Sequence, residues 1–475
     1  MTSDAGVATE AAREKLRSRP RRATGYAVTL RSGEPEHDAV VPEGSVSRAS
    51  PRWVLPPVLR SLRHRSYQLF FVGQLVSLVG TWMQSVAQSW LIYRMTGSSF
   101  WLGMIGFSSQ LPVLLLAPIG GALADRTRRH RIILATQSSS MGLAFALAGL
   151  TLGGLVRPYH VFVLGALLGV VNAFDIPARQ SFLVEMVGRE DLGNAIALNS
   201  SMFNSARLVG PAVAGVLVGW IGEGYCFLAN AVSFIAVIAG LLAMRLPPWS
   251  PPPRGASTLH GIVEGFRFVG RTPPIRAVLL LLGLVSLLGM PYVVLMPVFA
   301  DSILHGGPKA LGLLMGSTGA GAIVGALRVA ARRELRGLGR WVATGAIAFG
   351  VSLVLFSQSH WLPLSMALLV PAGFAMMVQM SGTNTLVQSM VPDALRGRVM
   401  AVYSMMFMGM APLGALYAGT MATRIGARAT VLCAGLACIA GGIAFASYWP
   451  HLREAVREIV AARRSEAPGA AHPSA

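Results

Sequence analysis

Twelve long apolar segments, separated by short polar stretches, set the pattern of this chain. Each is long enough to cross a hydrocarbon core as a helix, which takes roughly 20 residues. A backbone in lipid must satisfy its own hydrogen bonds, and the strict alternation of a membrane β-barrel is absent, so we predict twelve transmembrane helices. The segments lie at about 67–93, 100–124, 131–153, 159–178, 194–220, 225–246, 275–301, 309–330, 340–358, 361–382, 397–421 and 428–449.

The polar stretches divide the chain into five predicted parts. Residues 1–60 are basic and contain no apolar core, which excludes a secretory signal and predicts a disordered cytoplasmic arm. A Pro-rich linker at 247–274 separates a six-helix bundle at 61–246 from a second one at 275–450. A cytoplasmic tail follows at 451–475, and its stretch "HLREAVREIVAARR" has the charge spacing of a surface helix.

The composition agrees with a membrane protein and not with a nucleic-acid-binding one. Of the 475 residues, 53% are hydrophobic and only 13% are charged, far less charge than a soluble chain of this length carries. The formal charge is +20, yet Lys15 and Lys309 are the only lysines. Such a bias towards arginine is typical of a GC-rich genome, so we predict no nucleic-acid partner.

The arginines predict the orientation in the membrane, because cytoplasmic loops carry the excess of positive charge. Both termini and the linker are therefore expected on the cytoplasmic side of the membrane, and the even number of spans agrees. The loops on the other side hold only Arg94, Arg157, Lys309, Arg424 and Arg428. The cytoplasmic arginines are Arg126, Arg128, Arg129, Arg131, Arg254, Arg267, Arg271, Arg332, Arg333, Arg336, Arg340, Arg396 and Arg398.

The two halves form an internal repeat at one common offset of about 204 residues. Parallel repeats of this kind predict two six-helix bundles related by a pseudo-two-fold axis, with a substrate path between them near the midplane. The matching positions are Gly121-Ala122-Leu123 with Gly325-Ala326-Leu327, Arg128-Arg129 with Arg332-Arg333, Ala197 with Ala401, Ser200 with Ser404, and Ala214-Gly215 with Ala418-Gly419.

Two motifs carry a resemblance to the major facilitator superfamily. "GGALADRTRRHR" at 120–131 resembles the loop between helices two and three of that superfamily, with Arg128 in place of a family glycine. "SARLVGPAVAG" at 205–215 resembles the fifth-helix motif of its antiporter branch, with Ala206 and Ala214 in place of glycines. The residues that fit are Gly121, Leu123, Asp125, Arg126 and Arg129 in the first motif and Gly210, Pro211 and Gly215 in the second.

Longer strings, such as "PDALRGRVMAVYSM", resemble the subgroup that contains the enterobactin exporter and macrolide efflux proteins. The resemblance covers about residues 60–450. It implies a secondary active exporter that works by alternating access, is driven by protons, acts as a monomer and needs no cofactor. A drug, a siderophore or another small amphipathic metabolite is the implied substrate.

The same resemblance implies a cytoplasmic gate made of Gly121, Asp125, Arg126, Arg129 and Asp175. Asp125 is expected to meet the N-terminal end of helix eleven, where a negative charge is favourable. Arg126 and Arg129 are expected to hold Asp175 or loop carbonyls. Asp175 has two open interpretations, as the partner of Arg129 in a latch or as a proton-carrying acid.

The acidic stretch that follows this gate, at 185–191, is predicted to be a solvated face. Gly210, Pro211 and Gly215 are also open to two interpretations. They predict either the tight, leak-preventing helix contact of an antiporter or ordinary small-residue packing.

Polar residues inside the spans are candidates for the substrate path, because they are costly in lipid. Ser77, Thr81, Gln84 and Gln88 share one face of the first helix. They either line a wet path or hydrogen-bond to neighbouring helices. Gln379 is the candidate in the second half.

Arg207 lies deep in the fifth span, with Asn204 and Asn199 one and two turns before it and no acid within a turn. It either binds substrate, competes with a proton-carrying acid, or forms a structural ion pair or carbonyl clamp.

Other function classes find less support in the sequence. Neither lysine lies in the phosphate-cradling loop that an ATP-driven pump needs. None of the nine histidines lies in mid-span, and neither a metal-ligand spacing nor a G-x-S-x-G elbow is present, so we predict no catalytic residue, no metal and no enzyme. An importer or a lipid flippase on the same scaffold stays open.

Overall fold

The computed structural model describes residues 57–245, 258–331 and 337–466, and it contains the twelve predicted spans as helices long and apolar enough to cross a membrane. The predicted all-α fold class is therefore confirmed. The first 56 residues of the arm, the start of the linker, Arg332, Arg333, Arg336 and the last nine residues lie outside the described residues. The helices are α1 Arg65–Thr96, α2 Ser99–Arg126, α3 Arg129–Leu152, α4 Pro158–Val187, α5 Leu192–Ile221, α6 Glu223–Leu242, α7 Pro273–Ile303, α8 Gly307–Ala330, α9 Leu338–Gln358, α10 Leu362–Met390, α11 Asp393–Ile425 and α12 Ala427–Glu466.

Two shorter elements flank these spans. A 3₁₀ turn at Pro57–Arg63 precedes α1, and a linker helix at Thr258–Arg271 precedes α7. The linker helix is tied to α11 by an ion pair between Glu264 and Arg398. A side chain at Gly265 would collide with the backbone of Arg398, so the absence of one lets the two helices approach closely.

The two halves repeat the same packing, as the sequence repeat predicts. In the first half α2 and α3 pack on α4, and in the second α8 and α9 pack on α10. Gly169 of α4 packs on the backbone of Ser109, and Gly373, at the repeat offset, packs on that of Thr318. Gly222 and Gly426 end α5 and α11 with φ of 82° and 83°, a left-handed conformation that favours glycine.

Contacts between the halves are made by small residues on two helix pairs, α5 with α8 and α2 with α11. A Cβ on Gly215 would lie 2.9 Å from the Cα of Gly312, so these backbones touch directly. A Cβ on Gly103 would likewise lie 2.9 Å from the Cα of Gly419. Gly215 and Gly419 are partners in the sequence repeat, and the two contacts are therefore symmetry equivalents.

These contacts lie towards one end of the bundle. We call the end at which α1 begins the basic end, since the arginines of 126–131 lie there, and the other the opposite end. Gly103 near the start of α2 and Gly419 near the end of α11 meet towards the opposite end, where Tyr93 Oη also lies 2.6 Å from Ser302 Oγ. Among the described residues, no ion pair joins the two bundles at the basic end.

Helix α7 is irregular where it faces the first half. A 3₁₀ segment at Met290–Leu295 is flanked by π turns at Val285–Gly289 and Phe299–Ile303. Pro291 and Pro297 cause this, because proline removes the backbone N–H that a regular helix needs and clashes with the preceding turn. The change in winding alters which side chains of α7 point towards the first half.

Substituting Gly312 tests the close approach of α5 and α8. We expect Gly312→Val to destabilise the protein by about 1–3 kcal/mol, because the new side chain would meet the carbonyl of Pro211 and the backbone of Gly215. Gly316 is the matched control, since a Cβ there meets nothing within 4 Å. Thermal unfolding in detergent measures both variants, and equal melting temperatures for the two would contradict the interface.

Candidate transport pathway and gate

A small cavity lies where the two halves meet. It is walled by α1 and α5 of the first half and by α7 and α8 of the second. One basic and one hydroxyl side chain stand among apolar and aromatic ones. Its lining residues are Trp82, Arg207, Pro211, Val293, Met296, Met315 and Thr318.

Arg207 enters this cavity from α5. Its guanidinium carbon lies 5.7 Å from the centroid of the Trp82 ring, within the range of a cation–π interaction. Trp82 is held in turn by Gly210 behind it and by Phe203, which packs edge-on at 5.7 Å. Arg207 forms no ion pair and no hydrogen bond with any residue that the structure describes. The structural ion pair and the carbonyl clamp considered from the sequence are therefore absent from the described part of the chain.

The predicted polar face of α1 divides into two kinds of residue. Gln84 is buried and accepts a hydrogen bond of 2.7 Å from Asn230 of α6, and Ser77 is buried as well. Gln84 fits the interhelical alternative, and Ser77 is buried without an interhelical hydrogen bond to a described residue. Thr81 is exposed and donates to the carbonyl of Ser77 at 2.9 Å. Gln88 is half-buried near Gly165 of α4.

The two asparagines before Arg207 lie nearer the basic end. Both Asn199 and Asn204 are half-buried, and Asn204 donates to the carbonyl of Ser200 at 2.9 Å. Ser200 and Ser201 beside them are exposed. The structure therefore brings a run of polar α5 residues towards Arg207 on the basic side.

Gln379 on α10 lies apart from that run. It is fully buried, and neither its amide nitrogen nor its oxygen has a hydrogen-bond partner among the described residues. The hydroxyl of Thr383, one turn later, is also buried without a hydrogen-bond partner among the described residues. An unpaired buried amide is costly, which favours a conformation or a ligand in which it is paired.

A second polar stretch on α10 was missed from the sequence. Asn384 accepts a hydrogen bond of 2.6 Å from Gln388 one turn later, and both are half-buried. Tyr403 of α11 donates to the carbonyl of Met380 at 3.4 Å. The signal was present, since "SGTNTLVQS" at 381–389 places six polar side chains in a span.

The predicted gate is centred on Arg129, but with a partner that the sequence did not suggest. Arg129 donates from Nη1 to Oε1 of Glu185 at 2.9 Å and to the carbonyl of Ser181 at 3.1 Å. Asp125 is farther, at 3.8 Å from Nη2. The expected contact with carbonyls is present, and the loop after α2 is thereby tied to the end of α4.

Asp175 does not contact Arg129. It is buried and pairs with Arg179 at 3.0 Å, one turn along α4. Thr136 and Gln137 of α3 donate to its Oδ1 at 2.8 and 2.9 Å. Arg129 lies at the start of α3 and reaches the last two turns of α4, whereas Asp175 lies deeper. The structure therefore contains two separate charge clusters instead of one latch.

The remaining residues of the predicted gate form few contacts in this conformation, apart from the ion pair of Asp125 with Arg129. Asp125 is 70% exposed and does not contact α11 among the described residues. Arg126 is exposed, and it forms no ion pair with any residue that the structure describes. A Cβ on Gly121 would meet nothing within 4 Å.

The predicted solvated face at 185–191 is wrong for both its first and its last acid. Glu185 is held by Arg129, and the carboxylate of Asp191 is buried at the start of α5. Arg60 lies 2.5 Å from Asp191, and Arg63 and His64 lie 2.8 Å from it. The hydrogen bond with His64 lowers the pKa of Asp191 most. The hydrogen bond with Arg60 and the positive charges of Arg60 and Arg63 lower it further. Partners about 130 residues away leave no local trace in the sequence.

The fifth-helix motif forms contacts in both directions. Gly210 packs against Trp82 and Met83 of α1, in the same half. The carbonyl of Pro211 and the backbone of Gly215 face Gly312 of the other half. The motif is thus part of the contact that holds the two halves together.

Two repeated six-helix bundles around a shared cavity define a transporter of the major facilitator type. The chain belongs to the transmembrane secretion effector family of the major facilitator superfamily, which it matches over residues 57–469. It is thus a secondary transporter of small molecules, embedded in a membrane, and not an enzyme. The resemblance stated from the sequence is confirmed.

Its relatives include named transporters. The chain is 29% identical over 395 residues to the multidrug efflux pump Tap of Mycolicibacterium fortuitum, covering 81% of this chain and 96% of the pump. It is 25% identical to the staphyloferrin A transporter of Staphylococcus aureus, and the match covers 78% of this chain and 93% of that transporter. It is 26% identical to the enterobactin exporter EntS of Shigella boydii, and the match covers 72% of this chain and 81% of that exporter.

Solved structures share the fold at lower identity. A bacterial homologue of the human lysosomal transporter Spinster, in an inward-facing and unoccupied conformation, matches with a TM-score of 0.62 and 16% identity. That match covers 80% of this chain and 96% of the homologue. A peptide transporter of the POT family matches with a TM-score of 0.64 and 14% identity, covering 82% and 94%.

Replacing Arg129 tests the gate cluster. We expect Arg129→Gln to cost about 1–3 kcal/mol of stability, because Glu185 and the carbonyl of Ser181 would lose a charged donor in a half-buried place. Arg126→Gln, three residues earlier on an exposed side chain, should change stability little. Thermal unfolding in detergent compares them, and a stable Arg129→Gln protein would contradict the cluster.

Proposed function

We propose that this chain exports small amphipathic molecules, such as drugs or siderophores, across a bacterial cytoplasmic membrane by alternating access. The names of its relatives support this, since they are a multidrug efflux pump, a siderophore transporter and a siderophore exporter. Both termini lie in the cytoplasm in this proposal, because the arginines concentrate at the basic end.

The observation that carries the proposal is where the halves touch. The backbones of the two halves come together towards the opposite end, at Gly215 with Gly312 and at Gly103 with Gly419. Contacts between small residues hold by van der Waals packing and can separate without breaking an ion pair. Among the described residues, the charge clusters at the basic end stay within one half, which supports access from the cytoplasm in this conformation.

The site residues have assigned roles in this proposal. The path from the basic end to the cavity is lined by Thr81, Asn199, Asn204 and Arg207, and Gln88, which lies past Trp82 on α1, lines its continuation towards the opposite end. Gln84 holds α1 to α6, and Ser77 is buried within the bundle. Gln379 joins the path when the second half rearranges. When the basic end closes, Asp125 moves to the start of α11, where the helix dipole favours its charge. Gly121, Arg126 and Arg129 let the loop dock there.

Coupling to protons is assigned to Asp175. Its carboxylate is buried, pairs with Arg179 and accepts hydrogen bonds from Thr136 and Gln137. An acid inside a span that faces the bundle interior is a candidate for a proton relay. The chain acts as a monomer in this proposal, since its own two halves enclose the path.

Flux in proteoliposomes tests export and coupling together. The purified chain is reconstituted with a pH dye in the lumen, and the movement of cationic, neutral and anionic amphipathic dyes is followed. An imposed pH gradient should accelerate dye movement several-fold, with protons moving in the reverse direction. Asp175→Asn should remove this acceleration, and Glu190→Gln, an exposed acid of the same half, should keep it.

The outcomes separate the parts of the proposal. Dye movement that ignores the pH gradient would contradict proton coupling and leave the transporter intact. Net movement only towards the side of the basic end would indicate an importer. Transbilayer movement of labelled phospholipid without dye transport would indicate a lipid flippase.

A further inference from the structure

Arg207 is a cation at the junction of the two bundles, and no described residue supplies a counter-charge to it. Three other arginines of the first half are paired, Arg94 with Glu223, Arg129 with Glu185 and Arg179 with Asp175. The guanidinium of Arg207 lies over the face of Trp82, and it forms no ion pair and no hydrogen bond with any residue that the structure describes. A charge this deep in a span is costly unless water or an anion compensates it.

The cavity around it contains no acid to act as the partner. Its polar group is the hydroxyl of Thr318, which lies 3.4 Å from the phenol of Tyr292. The other lining residues are apolar or aromatic, namely Trp82, Pro211, Val293, Met296 and Met315. The charge of Arg207 is therefore not neutralised by the described part of the chain.

We propose that Arg207 binds an oxyanion of the transported molecule, with a carboxylate as the preferred group. A guanidinium presents parallel N–H donors that match the two oxygens of a carboxylate, and this pairing strengthens where water is scarce. Thr318 of the other half supplies a hydroxyl, which donates to the carbonyl of Leu314 at 3.2 Å in this conformation and would turn towards the anion. The cavity holds only about 30 Å³ here, so the apolar and methionine-lined walls take the body of the molecule once the halves separate. Thioethers suit this role because they adapt to varied shapes. The substrate class is an amphipathic organic acid.

The location gives this binding a consequence for transport. Arg207 and Trp82 belong to the first half, whereas Met296, Met315 and Thr318 belong to the second. Gly319, next to Thr318, packs on the backbone of Arg207 and Leu208. An anion at Arg207 therefore contacts both halves at the contact that must separate, and its binding is sensitive to their arrangement. This inference rests on the proposed function and narrows its substrate.

Binding to the full-length protein in lipid nanodiscs at neutral pH tests the assignment. The probes are naphthylacetate and naphthylacetamide, which share a body and differ in charge. The acid should bind at least about tenfold tighter than the amide to the unmodified protein. Arg207→Gln should make the two equal, and Arg207→Lys should retain part of the preference. Naphthyl phosphate and naphthalene sulfonate show whether other oxyanions compete.

Arg328→Gln is the matched control, because Arg328 also lies over a tryptophan, Trp341 at 5.4 Å, but at the end of α8. It should keep the preference for the acid. Equal binding of acid and amide to the unmodified protein, binding of neither, or a preference that survives Arg207→Gln would each overturn the assignment. This assay measures binding and not transport. The assignment of Arg207 can therefore fail while dye export succeeds, and dye export can fail while the assignment holds.

Discussion

The direct backbone contact between the two bundles is the interaction on which the rest of the structure depends. Lipid gives transmembrane helices no hydrophobic reason to associate, so the halves must hold each other by close packing. Gly215 against Gly312 and Gly103 against Gly419 provide it twice, once on each side of the pseudo-two-fold axis. Because these surfaces are joined by packing and by no ion pair among the described residues, they hold the bundles together and still allow them to part.

The charged groups have the complementary task of making each bundle rigid. In the first half Arg129 ties the loop after α2 to the end of α4, and Asp191 ties the entry turn to the start of α5. At the opposite end Arg94 holds Glu223 by two hydrogen bonds of 2.8 and 3.1 Å. Motion between rigid bundles is then concentrated at the glycine contacts. Arg207 stands beside those contacts, at the place where we propose that an anion binds.

The sequence predicted well what depends on local pattern. The apolar segments located the twelve helices, since span length is set by the membrane, and the repeat paired Gly215 with Gly419 before their contacts were known. Partner choice was harder, because it depends on how helices rotate and where they end. Asp175 pairs with Arg179 and not Arg129, and α4 runs on to Val187 with Glu185 facing the gate. Gln84 and Thr81 are predicted on the same face of α1, yet Gln84 faces α6 and Thr81 is exposed.

Alternating access about the glycine contacts is the central claim, and distances between spin labels test it most directly. One pair at Arg128 and Gly397 reports the basic end, and another at Leu155 and Trp361 reports the opposite end, all on exposed positions. The account predicts that, when a transported ligand or a pH gradient changes the populations, the basic-end distance shortens while the opposite-end distance lengthens. Two distances that change in the same direction, or do not change during transport, would contradict it.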